Sequence, residues 1–283
     1  MYLSIIIVNY NTKELTLKCL RSVFASQINF EYEVFVVDNA SKDDSVEVLK
    51  KAYPQVSVIS AKKNFGFAGG NNIALRQAQG KYVLLLNSDS EVQSNTLETS
   101  VKYMEEHPQV GAMSCKVLLP DGSLDKACRR KFPNPWNSFL RLFGLRKFSN
   151  YNFSNNENLE TEVDAVAGAF MLVRKEVIDK IGLLDEEFFM YGEDLDWCWR
   201  IKEAGYKIMY VPETFITHFK YGSSRLVPFK MIRAAHNAMK IFYRKHYAKK
   251  YDWLFNQFVY LGINLRMLLV LVINLFRNKK SVH

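Results

Sequence analysis

The chain reads as an α/β protein with an open, mainly parallel sheet and helices on both faces, followed by a C-terminal amphipathic helical tail. Three observations predict this. Strand and helix signals alternate through the first 120 residues. The strand signals are continuous apolar runs rather than apolar–polar alternations, as expected of buried parallel strands. Each run ends in Asn, Asp or Gly, residue types suited to the crevice beyond the carboxyl ends of such a sheet.

The elements follow in order. "LSIIIVNY" (3–10) is the first strand. Asn11, with Glu14 three residues on, reads as a helix start before "ELTLKCLRSVFAS". Next come "YEVFVVDNAS" (32–41), a helix near 43–53, "VSVIS" (56–60), a glycine-rich turn, a helix near 70–79 and "KYVLLLNSDS" (81–90). A helix near 94–106 leads to "VGAMSCKVLL" (110–119). The stretch 121–160 is irregular, with a turn at "PDGSLD" and a polar loop at "SNYNFSNNENLE". A second block opens at "VDAVAGAFMLVRKEV" (163–177), strand then helix, and runs through "YGEDLDWCWRIKEAGY" (191–206) to "KIMYVPE" (207–213).

Composition narrows the function classes. The chain has 283 residues, 48% hydrophobic and 24% charged, enough apolar content for a substantial core. It opens directly on a β-like run without a basic leader, and Cys19, Cys115, Cys128 and Cys198 show no CxxC spacing. A reduced, cytoplasmic chain without disulfides or zinc is expected. The net charge of +9 is uneven. From Leu226 to His283 there are 11 Lys and Arg against one acid, Asp252; the preceding residues carry 27 basic and 28 acidic groups. A neutral body with a basic, apolar tail points to an anionic membrane surface through that tail, and away from nucleic acid. The tail core "LFNQFVYLGINLRMLLVLVINLF" (254–276) is as long as a membrane span, which needs about 20 apolar residues. Arg266 near its centre, at about 2.5 kcal/mol or more on insertion scales, favours a helix lying in the interface over one that crosses. Lys240, Arg244, Lys245, Lys249 and Lys250 are the expected tether.

Several segments carry chemistry. The glycines of "NFGFAGGNN" (64–72) suit close approach of backbone to a ligand, and the following helix offers N–H groups to phosphate; a strained turn is the equal alternative. Asp89 in "LLLNSDS" projects just past a buried strand, where a carboxylate could hold a hard divalent cation against a diphosphate, or simply start a turn. His218 in "FITHFKYGSS" is more often structural than a ligand. Three carboxylates, Glu193, Asp194 and Asp196, open the helix after Gly192 and complement its dipole. On a wheel of about 100° per residue, Asp196 falls on the polar face and reads as a solvated partner of Arg200. Asp194 falls between Ile201 and Cys198 on the apolar side, where partial desolvation should raise its pKa. Glu193 is ambiguous.

Taken in order, "SIIIVNYN", "VVDNASKDDS", "NFGFAGGNN", "LLLNSDS", "VAGAFMLVRK", "FFMYGEDLDWCWR" and "THFKYGSS" resemble the family-two glycosyltransferases of GT-A fold. The likeness is to their rhamnosyltransferase and galactofuranosyltransferase branch and runs from Ser4 to about Ser224. It implies inverting transfer of a sugar (rhamnose, galactofuranose or another hexose) from a UDP- or dTDP-sugar. The acceptor would be a hydroxyl of a glycan or polyprenyl-linked molecule in cell-surface polysaccharide or glycolipid synthesis. By the same resemblance Asn9, Tyr10 and Asp38 hold the base and ribose, and Asn64 and Gly66 flank nucleotide and sugar. Asn87, Ser88 and Asp89 complete that site. Asp89 and His218 hold a divalent cation, magnesium or manganese. Asp194 is the general base, and Gly168, Glu193 and Trp197 face the acceptor. The pattern departs at Asn87, a neutral residue where many relatives carry the first Asp of D-x-D. The expected organisation is a catalytic domain over 1–225, with a nucleotide half at about 1–120 and an acceptor half at about 160–225. A membrane-associating tail over 226–283 would place the enzyme on the inner face of the cell membrane. A nucleotidyltransferase, or a non-catalytic membrane-bound nucleotide-sugar sensor, is the alternative.

Overall fold

The structure, a computed structural model, describes residues 1–137, 156–220 and 228–276. Most of the polar loop read at 149–160, and the domain boundary read at 225, lie outside the described residues.

Strand β1 (Leu3–Asn9) is buried along almost its whole length, which is why its apolar run does not alternate. After it come α1 (Lys13–Phe24), β2 (Tyr32–Asp38), α2 (Ser45–Ala52), β3 (Ser57–Ser60), α3 (Gly66–Leu75) and β4 (Tyr82–Asn87). β1 pairs in parallel with β2 on one side and β4 on the other, and β3 extends the sheet from β2. The register sets Asn9 beside Asp38 and Val8 beside Asn87, so three strand ends come level. Next are β5 (Ser90–Val92), α4 (Thr96–Glu106), β6 (Val110–Leu118), β7 (Thr161–Glu162), β8 (Phe170–Arg174), α5 (Lys175–Ile181), α6 (Glu193–Glu203) and β9 (Lys207–His218). Among the described residues the sheet runs β3-β2-β1-β4-β8-β6-β9-β5, with β7 on β9. β8 enters antiparallel to both β4 and β6, and β9 returns parallel to β6. The α/β fold read from the alternation is therefore present; its second half adds a reversed strand in mid-sheet.

Two helix starts differ from the sequence reading. Asn11 does not cap α1. It adopts a left-handed φ of 53° and accepts a hydrogen bond from the Lys42 amide at 2.8 Å. Helix α3 begins at Gly66, so Gly69 and Gly70 lie inside it rather than in a turn ahead of it. Their absent side chains let the helix approach its neighbours. A Cβ at Gly70 would meet Val8 at 3.0 Å, and one at Gly69 would meet Phe65 at 2.8 Å.

The tail divides in two. Helix α7 (Pro228–His246) is part of the body: Phe188, Ala238 and Phe242 form a small buried cluster. Trp199 on α6 stacks on His246 at 4.6 Å between centroids. Asp196, expected to be solvated, is fully buried and takes Arg200 at 2.9 Å, His246 at 2.9 Å and Lys245 at 2.7 Å. The wheel placed it correctly beside Arg200, but α7 covers that face. Lys245 also holds Asp185, and Arg244 pairs with Glu187, so these two cations bind the protein rather than a membrane. Helix α8 (Trp253–Phe276) is the exposed part.

Burial works against the Asp196 charge, yet the His246, Lys245 and Arg200 contacts outweigh it and pull its pKa down to about 2. An unfolded aspartate titrates near 3.9, so this stabilisation is present above about pH 4 and fades as pH falls toward 2. Asp196→Asn should cost about 3 kcal/mol near neutral pH, the scale for breaking a buried ion pair. Urea melts should show the gap to wild type closing on acidification; a gap of under 1 kcal/mol at neutral pH would show that the hub does not hold α7.

Candidate active site

The strand ends are tied by buried polar side chains. Asn9 is fully buried and uses both ends of its amide. Its nitrogen donates to Asp38 at 2.7 Å and Ser41 at 3.1 Å; its oxygen accepts from Thr12 at 2.9 Å and Thr16 at 2.8 Å. Thr12 also reaches Ser88 at 3.1 Å, and Asp38 takes the Ser41 amide at 3.0 Å. Burial without such partners would be costly, so this network fixes the ends of β1, β2 and β4 together. Asn9, Asp38 and Ser88, expected at the nucleotide-sugar, are all buried and hydrogen-bonded within the protein in this structure. Tyr10 and Asn64 are half-buried and keep surface to offer a nucleotide.

The glycine-rich segment also differs from its reading. Asn39 donates to Asn64 Oδ1 at 3.1 Å and to the Gly66 carbonyl at 2.8 Å, and accepts from the Phe65 amide at 2.9 Å. The Gly66 amide bonds Asn64 Oδ1 at 2.8 Å, and the Phe67 amide bonds the Phe189 carbonyl at 2.9 Å. These first amides of α3 are therefore committed to protein acceptors and not to phosphate. Gly66 has a φ of +76°, and a Cβ there would lie 1.9 Å from the Phe189 oxygen. Its glycine is required by that contact.

Past β4 the chemistry concentrates. β5 and β9 pair so that Ser90 faces His218. Asp89 Oδ1 lies 3.2 Å from His218 Nε2, and the Asn87 amide lies 3.2 Å from the same nitrogen. The other ring nitrogen, Nδ1, faces Asp125 at 3.4 Å, and Lys220 reaches Asp125 at 3.0 Å. Asp125 was not foreseen: "PDGSLD" reads as a turn, and only the fold brings it to β9. Burial opposes charge on His218, but the bonds to Asp125 and Asp89 dominate and raise its pKa to about 9. Burial likewise opposes the Asp125 charge, yet His218 and Lys220 hold it well below the usual carboxylate range.

This donor set fits a hard divalent cation. Two neighbouring ligands at about 2.1 Å from an octahedral ion lie about 3 Å apart, close to the Asp89–His218 separation. A carboxylate behind the far nitrogen is the usual partner of a metal-bound imidazole. Asp89 and His218 would hold the ion once Nε2 gives up its proton. Among the described residues no three His, Cys, Asp or Glu form a metal cluster on their own. The remaining positions suit water and substrate phosphate oxygens.

The opening of α6 sorts its acids. Tyr191 and Gly192 take left-handed φ values of 70° and 86°, turning the chain sharply into the helix. Asp194 is not the lone desolvated carboxylate expected. Arg130, which the sequence did not single out, donates to its Oδ2 at 2.6 Å and to the Val166 carbonyl at 2.8 Å. Both members of the pair keep 14% of their side-chain surface, so the carboxylate still faces solvent at one edge. Glu193 is buried, its Oε2 without a hydrogen-bond partner among the described residues. Burial, and then the Asp194 charge, push its pKa up to about 8. Trp197 is fully buried and donates to the Gly182 carbonyl at 2.9 Å; Gly168 is buried against the Phe67 ring. Glu193, Trp197 and Gly168, expected to face the acceptor, are all buried and packed within the protein in this structure.

Comparison with known proteins identifies the family and the fold. The model of the family "Glycosyl transferase family 2" matches residues 4–182. The rhamnosyltransferase WbbL of Escherichia coli is 31% identical over 229 residues, covering 78% of this chain and 84% of the relative. The N-acetylglucosaminyl-diphospho-decaprenol L-rhamnosyltransferase of Mycobacterium tuberculosis is 25% identical over 236 residues, 74% of this chain and 73% of the relative. Among solved structures, a mannosyltransferase from Pyrobaculum calidifontis, in complex with GDP-Man and Mn2+, superposes with a TM-score of 0.58. At 19% identity, over 95% of this chain and 75% of that one, it shows the shared fold.

Two outcomes check the site. Calorimetric titration of UDP and dTDP should show affinity that rises with Mn2+ or Mg2+, and Asp89→Asn or His218→Ala should remove the rise. Asp125→Asn should weaken the metal-dependent part about 10- to 100-fold. Wild-type affinity unchanged by chelator would overturn all three assignments. Separately, Glu193 with a raised pKa favours folding below about pH 4.3, its unfolded value, and that contribution is lost as pH rises to about 8. Glu193→Gln should therefore gain stability relative to wild type between pH 4.5 and 8 (roughly, from those two values), read by thermal melts; a constant difference would count against a buried, neutral Glu193.

Proposed function

The chain belongs to glycosyl transferase family 2 and is a glycosyltransferase of its rhamnosyltransferase branch; from that premise we propose that Asp194 is the general base of an inverting transfer onto a lipid-linked acceptor at a membrane surface. The observation that carries the reading is the Arg130–Asp194 pair at the start of α6, where one carboxylate is fixed in orientation and still open to solvent at an edge.

The chemistry runs as follows. The donor enters the crevice past β1–β4, with Tyr10 and Asn64 at the nucleotide. A magnesium or manganese ion on Asp89 and His218 would supply Lewis-acid stabilisation of the departing diphosphate. Arg130 donates to Asp194 Oδ2 and the Leu195 amide donates to Oδ1 at 2.8 Å, which limits the side chain's freedom and leaves the remaining lone pairs at its open edge to face the acceptor. An acceptor hydroxyl oxygen bonds to the anomeric carbon from the face opposite the leaving group. The carbon–oxygen bond to the nucleoside diphosphate breaks, its electron pair leaving on the diphosphate. The acceptor proton passes to Asp194.

The acceptor class is supported by two things. One relative's name specifies a diphospho-decaprenol substrate. Here α8 exposes a stripe of Leu254, Phe258, Leu261, Leu265, Leu268 and Val272. By length and composition α8 could also cross a membrane. Arg266, which argued against crossing, lies against Met239 of α7 at 3.6 Å, off the exposed stripe. A large exposed apolar surface of this kind marks an interaction with lipid or protein; Lys249 and Lys250 beside it suit anionic headgroups at an inner leaflet.

Asp194→Asn should keep the fold and metal-dependent nucleoside-diphosphate binding while transfer falls at least about a hundredfold, the usual scale for a general base. Turnover within tenfold of wild type, measured with intact melting behaviour, would rule out this role. Asp196→Asn is unsuited as the control because that residue anchors α7; Glu14→Gln on the exposed side of α1 serves.

A further inference from the structure

A basic groove lies between α7, α8 and the segment leading into α6. Its cavity is about 710 Å³, bounded by Phe188 and Phe189 on one side and Tyr260 of α8 on another. One face of α7 lines it, with Lys230, Arg233, Lys240 and Arg244 at helical spacing. Glu187 is the acid among the lining residues, and it is taken by Arg244. Lys230 lies over the Phe189 ring at 4.7 Å. Neither Arg233 nor Lys240 has an ion-pair partner recorded among the described residues, and no acid on α7 offers one. Three cations thus face one cavity without a carboxylate paired to any of them among the described residues.

The position of the groove matters as much as its charge. Phe189, on its wall, carries the carbonyl that seats α3. Ala238, also on its wall, lies against Gly192: a Cβ built on that glycine would be 3.3 Å from the Ala238 methyl. Gly192 is two residues before Asp194. On its other side the groove meets α8, whose outward stripe is apolar. The groove therefore lies between the segment that leads to the proposed base and the lipid-facing helix.

We propose that this groove binds the phosphoryl groups of the lipid-linked acceptor, with its lipid chain toward the α8 stripe and its sugar toward Asp194. The inference rests on the reading of the chain as a transferase acting on a lipid-linked acceptor. A phosphate in the groove can take charge-assisted hydrogen bonds from Arg233 and Lys240 and the field of Lys230. The aromatic rings of Phe188, Phe189 and Tyr260 fit the first part of a lipid chain. Bulk phospholipid is a poorer occupant, because a planar headgroup layer would meet the exposed Lys249 and Lys250 without needing a walled cavity beside Gly192.

The test uses the full-length protein in phosphatidylcholine vesicles, with farnesyl diphosphate as probe and chelator present to silence the donor site's cation. Arg233→Gln/Lys240→Gln should weaken farnesyl diphosphate binding at least tenfold. It should leave cosedimentation with phosphatidylglycerol vesicles, and metal-dependent UDP or dTDP binding, unchanged. Lys249→Gln/Lys250→Gln should do the reverse, lowering cosedimentation and sparing farnesyl diphosphate. Equal losses of farnesyl diphosphate in both double variants, or no binding by wild type, would overturn the assignment. So would a loss of phosphatidylglycerol binding confined to Arg233→Gln/Lys240→Gln, which would make the groove a phospholipid site. Failure of the transferase reading shows separately, as absence of metal-dependent nucleoside-diphosphate binding in wild type.

Discussion

One carbonyl oxygen, that of Phe189, sets the relation between the two halves of the site. It accepts the Phe67 amide at 2.9 Å and leaves no room for a side chain at Gly66. Glycine is needed there for two independent reasons, the contact and the positive φ, and either alone would disfavour another residue. The consequence runs in both directions along the chain. On one side α3 is held over β1 and β2. On the other, the segment that carries Phe189 turns through Tyr191 and Gly192 into α6, so Asp194 is placed with respect to the strand ends by backbone geometry. Loop flexibility has little part in it.

The same logic separates three carboxylates that look alike in "GEDLD". Their charge and spacing are nearly equivalent, but their partners are not. Glu193 is sealed with no hydrogen bond to its Oε2 among the described residues, and burial and the Asp194 charge push its pKa up against the weaker pull of Arg130. Asp194 has one guanidinium and an open edge. Asp196 has three basic neighbours and no exposure. Environment assigns the roles here, a neutral packing residue, a poised carboxylate and a structural ion, as it does wherever titratable groups cluster.

The fold was legible because buried parallel strands leave a strong local signal: "LSIIIVN", "YEVFVVD" and "YVLLLN" became β1, β2 and β4 nearly residue for residue. Strand-end chemistry was legible too, in that Asp89 and His218 do meet. What could not be read was set by distant partners. Arg130 and Asp125 sit in an irregular stretch with no periodicity, and reach Asp194 and His218 across 64 and 93 residues. The glycine segment was undecidable in sequence for a related reason. Small residues that admit a ligand and small residues that admit another backbone leave the same trace in sequence, and here Val8, Phe65 and Phe189 fill the space.

The tail shows why average composition was a coarse guide. Its charge suggested a uniform tether, yet Arg244 and Lys245 close ion pairs on Glu187, Asp185 and Asp196, and α7 thereby joins the catalytic body. Three of the residues that interrupt the apolar run of α8 are turned inward, while Gln257 and Asn264 stay exposed. Asn256 takes the Tyr243 hydroxyl at 2.5 Å, Arg266 meets Met239 and Asn274 is buried, while the exposed positions from Trp253 to Phe276 carry no charge. So α8 meets α7 through Asn256, Tyr260 and Arg266, and α7 meets α6 through Asp196 and the aromatic cluster. A lipid surface that takes the α8 stripe thereby takes a rigid series of helices ending at Asp194. On the proposed reading of Asp194 as the base and of a lipid-linked acceptor, helix packing would match the depth of the reacting hydroxyl to that carboxylate, and the binding energy of the lipid chain, remote from the bond that forms, would contribute to orientation at the reacting centre.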